Sequence, residues 1–301
     1  MMKCLIGQQC PDFSAPALMP DGGIRHDFHF TAHSAGRTAI LFFYPMNFGL
    51  IALSELRALQ DRLDKFTARD TCVVAVSGDS PLAHGAWQSQ PTAQGGLGPV
   101  GFPMVADMTR GVARQFDILV ADAMAEAATM LVDKTGKVVY QLRHDTAIGR
   151  NIDRMIAAVD SCAGPLDPKS SPAMQILQAE SHAARLRAAG YTIVAQSIDL
   201  PLSDPEWTQL PRDKQGKIDL SFPFLDGRHE WPRHDGLTIA LREGRELHST
   251  GLLLPDGQLL FECHAERRIP RDFEEMVRIA GAIQKHKDNG KLVVWPEKEP
   301  G

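Results

Sequence analysis

No stretch of this 301-residue chain reaches the roughly eighteen consecutive apolar residues that a membrane-spanning helix needs. There is no surplus of positive charge. Thirty-two Lys and Arg face 37 Asp and Glu, for a net charge of −5, which excludes a phosphate-backbone-binding surface as the main business of the chain. No C-x-x-C pair occurs. The five cysteines, Cys4, Cys10, Cys72, Cys162 and Cys263, are odd in number and scattered, a usage that fits a reducing compartment and argues against a disulfide framework or a zinc site. The glycine-rich run Gln94–Pro99 lacks the Lys-Ser/Thr ending of a phosphate loop. Histidine is abundant but not arranged for metal: His229, His234 and His264 lack ligand spacing, and His26 with His29 is an H-x-x-H pair in a predicted loop or short strand, a weak signal. No metal and no cofactor are expected. The opening MMKCLIGQQCPDF turns polar and meets Pro11 too early for a secretory leader, so a cytoplasmic placement is expected.

What is present is an alternation of strand and helix signals. Residues 1–37 are rich in Pro, Gly and His and read as loops and short strands. Ile40–Tyr44 is an apolar strand run, closed by Pro45. Leu56, Leu59, Leu63 and Phe66 recur at helical spacing and predict a helix over 54–66, begun at Ser54 or the turn before it. Val73–Val76 is a second buried strand and Trp87 lies on a short helix. Phe102–Val105 is strand-like, and Thr109–Phe116 is a short helix. Thr129–Val132 and Lys137–Leu142 flank the turn Asp133-Lys134-Thr135-Gly136 as a hairpin. Ile152, Met155, Ile156 and Val159 share one face of a closing helix. The order predicts an α/β fold of the thioredoxin type.

Six segments carry a resemblance. Phe43-Tyr44-Pro45-Met46-Asn47-Phe48, Val74–Asp79, Trp87, Gln94–Pro99, Phe102–Asp107 and Gly149-Arg150-Asn151-Ile152-Asp153 stand in the order found in typical two-cysteine peroxiredoxins, the alkyl hydroperoxide reductase C group. The resemblance spans nearly all of residues 5–160. It implies a thiol peroxidase whose cysteine thiolate, in a P-x-x-x-T/S-x-x-C loop, attacks a hydroperoxide oxygen and becomes a sulfenic acid. It also implies a Thr that positions the peroxide and an Arg that lowers the thiol pKa. Counted from Pro45, the Thr position is Gly49 and the Cys position is Ala52; counted back from Asp133, the Arg position is Ala127. Pro45, Glu55 and Arg150 match the family. The resolving cysteine that the family carries on its C-terminal tail corresponds to Trp295, in Val294-Trp295-Pro296. Cys72 and Cys263 sit in predicted buried strands and read as inert core thiols; Cys4 and Cys10 read as near-terminal and open to solvent, and Cys162 as part of a linker.

The second half repeats the first at an offset of about 120 residues. Val73-Val74-Ala75 recurs as Ile193-Val194-Ala195, Trp87 as Trp207, Phe102-Pro103-Met104-Val105 as Phe222-Pro223-Phe224-Leu225, Gly136 as Gly257, Arg150 as Arg271 and Met155 as Met276. The expected organisation is a peroxiredoxin-like lobe at 1–160, a Pro- and Ser-rich linker at 161–172, and a second lobe at 173–301 truncated at its N-terminal strands. Because the truncation removes a central strand, either the neighbours close up or another segment fills the gap. In the second lobe the thiol position falls on or next to Pro172 and the Arg position near His248. Trp207 and Trp231 read as packing residues, and Arg267, Arg268 and Arg271 as a solvated basic cluster at a helix start.

The function expected from these residues is that of a catalytically silent peroxiredoxin-like protein that works as an assembly, regulatory or holdase-type partner. A protein partner or self-association is expected, with the two lobes forming an intrachain pseudo-dimer and a higher oligomer as the further option, and no nucleic acid or membrane. Two alternatives stand beside it: a thiol peroxidase using one of the other five cysteines, and small-molecule binding in a former peroxide pocket lined by Gly49, Ala52 and Ala127.

Overall fold

A computed structural model describes residues 2–120, 124–227, 231, 236–290 and 292–294. The chain divides into two compact units. The first holds residues 2–160 together with the C-terminal tail from 291, and the second holds residues 161–290.

The first unit runs β1 (Ser14–Leu18), β2 (Ile24–His29), α1 (Phe30–Ser34), β3 (Thr38–Phe43), α2 (Leu50–Gln60), α3 (Leu63–Thr67), β4 (Thr71–Ser77), α4 (Pro81–Ser89), β5 (Met104–Ala106), α5 (Gly111–Gln115), the small pair β6 (Leu119–Val120) and β7 (Met124–Ala125), β8 (Ala127–Val132), β9 (Val138–His144) and α6 (Ile152–Ala163). Its sheet has the order β9-β8-β3-β4-β5-β1-β2. β3 pairs parallel with β4 and antiparallel with β8. Every residue of β3, β4 and β8 is buried, which is why these segments read as unbroken apolar runs rather than alternating ones. One sheet face carries Leu41, Phe43, Val74, Val76, Ala128, Met130 and Val132. It packs against the N-terminal residues Met2, Leu5, Phe13 and Phe30 and against Phe116. Phe13 stacks on Phe30 at 5.3 Å and Phe43 meets Phe116 at 5.1 Å. The tail joins this unit: Val293 bridges Ile148, with Gly149 N–H donating to Val293 O at 2.6 Å and Val293 N–H to Ala147 O at 2.9 Å. Trp295 lies outside the described residues.

Two boundaries differ from the sequence expectation. The helix after Pro45 starts at Leu50, with Gly49 as its N-cap, and breaks between Gln60 and Leu63. Ser54 is therefore inside the helix, where its hydroxyl donates to Ile51 O. Ser161–Ala163 continue α6 instead of opening a linker.

The second unit runs α7 (Pro172–Ala188), β10 (Tyr191–Ser197), β11 (Phe224–Leu225), β12 (Leu237–Glu243), β13 (Leu247–Leu253), β14 (Leu259–Glu266) and α8 (Phe273–Asn289), with sheet order β11-β10-β12-β13-β14. The gap expected in the sheet of the second unit is occupied by β12. β12 lies parallel to β10 and antiparallel to β13, as β3 lies parallel to β4 and antiparallel to β8. Register makes the match residue by residue. Phe43 pairs with Val76 and Ala128 in the first unit; Arg242 pairs with Gln196 and Ser249 in the second. The strand that precedes the helix in the first unit thus follows the two parallel strands in the second. A hairpin glycine at positive φ marks each unit, Gly136 at 85° and Gly257 at 87°.

The face that is an apolar core in the first unit has changed chemistry in the second. Arg242, Gln196, Ser249 and Gly251 stand where Phe43, Val76, Ala128 and Met130 do. Trp231 fills the room over Gly251, where an added Cβ would sit 3.3 Å from the indole, and the Arg242 guanidinium lies 3.9 Å from the Trp231 ring centroid.

Candidate functional site

The segment from Tyr44 to Glu55 leads from β3 into α2. Tyr44 N–H extends the β3 ladder to Val76 O at 3.0 Å, and Asn47 N–H donates to Asp79 Oδ2 at 2.8 Å, so the turn is tied to the end of β4. Asp79 also accepts from Ser77 Oγ at 2.9 Å. Beneath the turn, Tyr44 OH donates to Asn47 Oδ1 at 2.9 Å and Asn47 Nδ2 lies 3.1 Å from His84 Nδ1. Burial pulls His84 down to about 4, outweighing the pull of Asp79 the other way, so at neutral pH it is an uncharged ring. Phe48 takes a left-handed backbone, φ 63°, and its ring rests 5.6 Å from that of Trp87.

Gly49 caps α2 with backbone alone, and Leu53 N–H donates to its carbonyl at 2.8 Å. Ala52 lies in the first turn of the helix and is buried, 4% exposed. A Cβ on Gly49 would lie 3.8 Å from Ala52 Cβ, so positions 49 and 52 are adjacent on the helix entry. Ala127, 2% exposed, starts β8 opposite His144. None of the three carries a group that ionises, attacks or donates a hydrogen bond.

The polar centre that remains is the pair Glu55 and Arg150, both buried. Glu55 accepts from Arg150 N–H at 2.7 Å, from Nε at 2.9 Å and from Nη2 at 2.7 Å. Arg150 Nη1 donates to Phe43 O at 2.9 Å, Ala128 O at 2.7 Å and Thr129 Oγ1 at 3.1 Å, while its Cζ lies 3.5 Å above the Phe42 ring. The guanidinium is committed inward, joining α2, β3 and β8.

The second unit builds the same device. Arg271 N–H donates to Gln175 Oε1 at 3.0 Å, Nε to Thr250 Oγ1 at 2.7 Å, and Nη2 to both Arg242 O and Ser249 O at 2.7 Å. These partners occupy the places of Glu55, Thr129, Phe43 and Ala128. The carboxylate comes from Glu243 at the end of β12, bonded to Nη1. Arg271 is thus a buried structural cation and not a member of a solvated cluster. At the place of Ala127, His248 is buried and gives its Nε2 to Ile269 O at 2.6 Å; burial lowers its pKa to about 4.

The cysteines do not converge on either device. Cys72 and Cys263 are buried in β4 and β14, while Cys4, Cys10 and Cys162 are half-buried. Cys10, expected to be open, is pushed up to about 12 by burial and by Asp12. Burial also raises Cys72, against the opposing charge of Arg37, a neighbour that sequence spacing did not reveal because it comes from the turn before β3. His26 and His29 lie on exposed edges of β2, His264 is buried on β14, and His229 and His234 lie outside the described residues. Among the described residues no group of three or more His, Cys, Asp or Glu could hold a metal, and no helix is long and apolar enough to cross a membrane.

Comparison with known proteins agrees with this geometry. The AhpC/TSA family model matches residues 6–141. The alkyl hydroperoxide reductase C of Helicobacter pylori is 36% identical over 157 residues, 52% of this chain and 79% of that protein. Peroxiredoxin-1 of Gallus gallus is 32% identical over 160 residues, 53% of this chain and 79% of that one. Among solved structures, the reduced two-cysteine peroxiredoxin of Plasmodium vivax superposes with a TM-score of 0.51 at 28% identity, covering 60% of this chain and 86% of that one. Thioredoxin peroxidase I of Plasmodium yoelii gives 0.50 at 30% identity, covering 55% and 97%. By fold, by the helix-entry turn held over a buried Arg–Glu pair and by these relatives, the chain belongs to the AhpC/TSA family of peroxiredoxins.

Proposed function

We propose that this chain is a peroxiredoxin that has kept the fold and lost the peroxidase chemistry, and that it acts through protein contacts as an assembly, regulatory or holdase-type partner. The observation that carries this reading is the contrast within one turn of helix. The supporting pair Glu55–Arg150 is intact and saturated, while positions 49, 52 and 127 present only Gly and Ala. A peroxide oxygen arriving there meets no thiolate, and no side chain stabilises the departing alkoxide or hydroxide. Cys10 and Cys72 are poor substitutes, since burial raises both and so disfavours the reactive thiolate.

Exposed apolar side chains around the same turn support a role in contacts. Met46, Phe48 and Leu50 are 51%, 56% and 55% exposed, and Leu82 on α4 is 75% exposed. In this reading the second unit is a truncated copy of the first, with 164–171 as the join and β12 recruited into the place of β3. Self-association is the partner mode that the family relationship favours.

Hydroperoxide consumption by the full chain with a dithiol reductant tests the proposal. Consumption equal to that of the reductant alone is expected. Turnover that disappears when one of Cys4, Cys10, Cys72, Cys162 or Cys263 is changed to Ser would reject it.

A further inference from the structure

A cavity recurs at the same place in both units, beside the strand that follows the first long helix. In the first unit it lies among Leu63 and Thr67 of α3, Cys72 of β4, and Gly101 and Pro103 before β5. In the second, Ala183 and Arg187 of α7, Thr192 of β10, and Ser221 and Pro223 before β11 stand at the matching positions. The two copies differ in what fills them. The second measures about 70 Å³ and is closed by its own chain: Arg187, at the place of Thr67, donates from Nη1 to Ser221 O at 3.1 Å and from Nη2 to Ser221 Oγ at 3.0 Å. Ser221 in turn is held by Glu180, so the guanidinium, the hydroxyl and the carboxylate satisfy one another.

The first copy measures about 250 Å³ and has no such plug. Thr67 is too short to cross it, and Gly101 offers no hydroxyl. Instead the N-terminal segment, which the second unit lacks, brings in Met19, His33 and Arg37. Among the described residues the Arg37 side chain makes one hydrogen bond, from Nη2 to His33 O at 2.5 Å, and has no carboxylate partner. Its charge is felt by its neighbours, because it helps to depress His33, where burial is the larger cause. Asp70, also in the lining, is paired with Lys134 at 2.8 Å, so among the described residues Arg37 is the lining cation that no carboxylate engages. A guanidinium has five N–H donors in a planar fork that matches a carboxylate. The walls beside it, Met19, Leu63 and Pro103, are apolar.

We infer that this cavity of the first unit is a binding site for a small monocarboxylate with an apolar body, its carboxylate on Arg37 and its chain against Leu63 and Met19. The site is separate from the helix-entry turn at Gly49–Ala52 and shares no lining residue with it. In the second unit the matching space is filled by a side chain of the protein, Arg187.

Saturation-transfer NMR and isothermal titration of the full chain with hexanoate test this, with hexan-1-ol as the uncharged match. One hexanoate site per chain is expected, with hexan-1-ol bound about tenfold more weakly, the size of effect that a charge-assisted hydrogen bond confers. Arg37→Gln should weaken hexanoate by at least about tenfold. Thr67→Met, which fills the cavity while keeping Arg37, should abolish binding, and Arg187→Gln should leave it unchanged. Failure of hexanoate to bind, equal binding of hexan-1-ol, undiminished binding by folded Arg37→Gln or Thr67→Met, or loss of binding in Arg187→Gln would each overturn the inference. None of these readouts involves peroxide.

Discussion

The two units solve the same problem from different sequences. Each buries an arginine, Arg150 or Arg271, between the first long helix and two central strands, and each must supply one carboxylate to make that burial tolerable. In the first unit the carboxylate comes from the helix, Glu55, and the strand end is Tyr44. In the second the helix offers the neutral Gln175 and the strand end offers Glu243. The backbone contacts of the two guanidinium groups match position by position, although β3 and β12 enter the chain in different order. What this fold requires is a charge at one point in space; which element carries it is free to change. In the reading proposed above, the reacting groups are the ones given up, with Gly49, Ala52 and Ala127 at their positions.

The largest expected effect comes from breaking that pairing. Glu55→Gln leaves Arg150 buried without a counter-charge and should cost about 3–5 kcal/mol, as should Glu243→Gln for Arg271. Urea denaturation with native-state hydrogen exchange of the β3 and β12 amides measures each loss in its own unit. Adding Tyr44→Glu to Glu55→Gln gives the first unit the arrangement of the second and should recover about 2 kcal/mol. A double variant no more stable than the single one would break the equivalence of the two devices.

A smaller effect concerns His84 and His248, one neutral buried imidazole in each unit, both drawn down to about 4 by burial. A folded pKa below the ordinary value near 6.5 means that the unfolded chain takes up the proton first. Their contribution is therefore present above about pH 6.5 and is lost as pH falls toward 4, at up to about 1.4 kcal/mol per pH unit for each. His84→Gln and His248→Gln should each flatten the stability profile over that window by the equivalent of one proton. An unchanged slope in urea denaturation from pH 7 to 4 would show that the rings are not held neutral.

The smallest effect lies at the helix starts. Ser171 accepts from Met174 N–H to cap α7, whereas Gly49 caps α2 with no side chain. Ser171→Ala should cost about 1 kcal/mol, and Gly49→Ala a few tenths less, in thermal melts of the two variants.

Most of the framework was legible because it rests on local pattern. The buried runs of β3, β4 and β8, the hairpin at Gly136, the amphipathic α6 and the family match were all written along the chain. The start of α2 was misplaced at Ser54 because Gly49 gives no capping signal. β12 was not recognised as the replacement for β3 because a repeat at constant offset cannot show a strand that has changed its place in the order. Arg271 read as solvated because its counter-ion, Glu243, lies on that same unrecognised strand. Arg37 escaped notice for a similar reason: its approach to Cys72 is a tertiary contact between the turn before β3 and the start of β4. At the candidate site the residues Gly49, Ala52 and Ala127 and their assignment to the family's reacting positions came from sequence alone; the complete inward commitment of Arg150 was not visible there.

The central claim is that an intact peroxiredoxin scaffold holds an emptied site, and restoring the three groups together tests it most directly. The variant Gly49→Thr, Ala52→Cys, Ala127→Arg is treated with one equivalent of hydrogen peroxide, trapped with a sulfenate-selective reagent and mapped by mass spectrometry. The thiolate at position 52 should take one oxygen from the peroxide and release water, on the order of 100-fold faster than in Ala52→Cys alone. The unmodified chain should gain no sulfenate at any cysteine under the same exposure. A folded triple variant that oxidises no faster than Ala52→Cys, or an unmodified chain that forms sulfenate rapidly at one of its own five cysteines, would contradict the account.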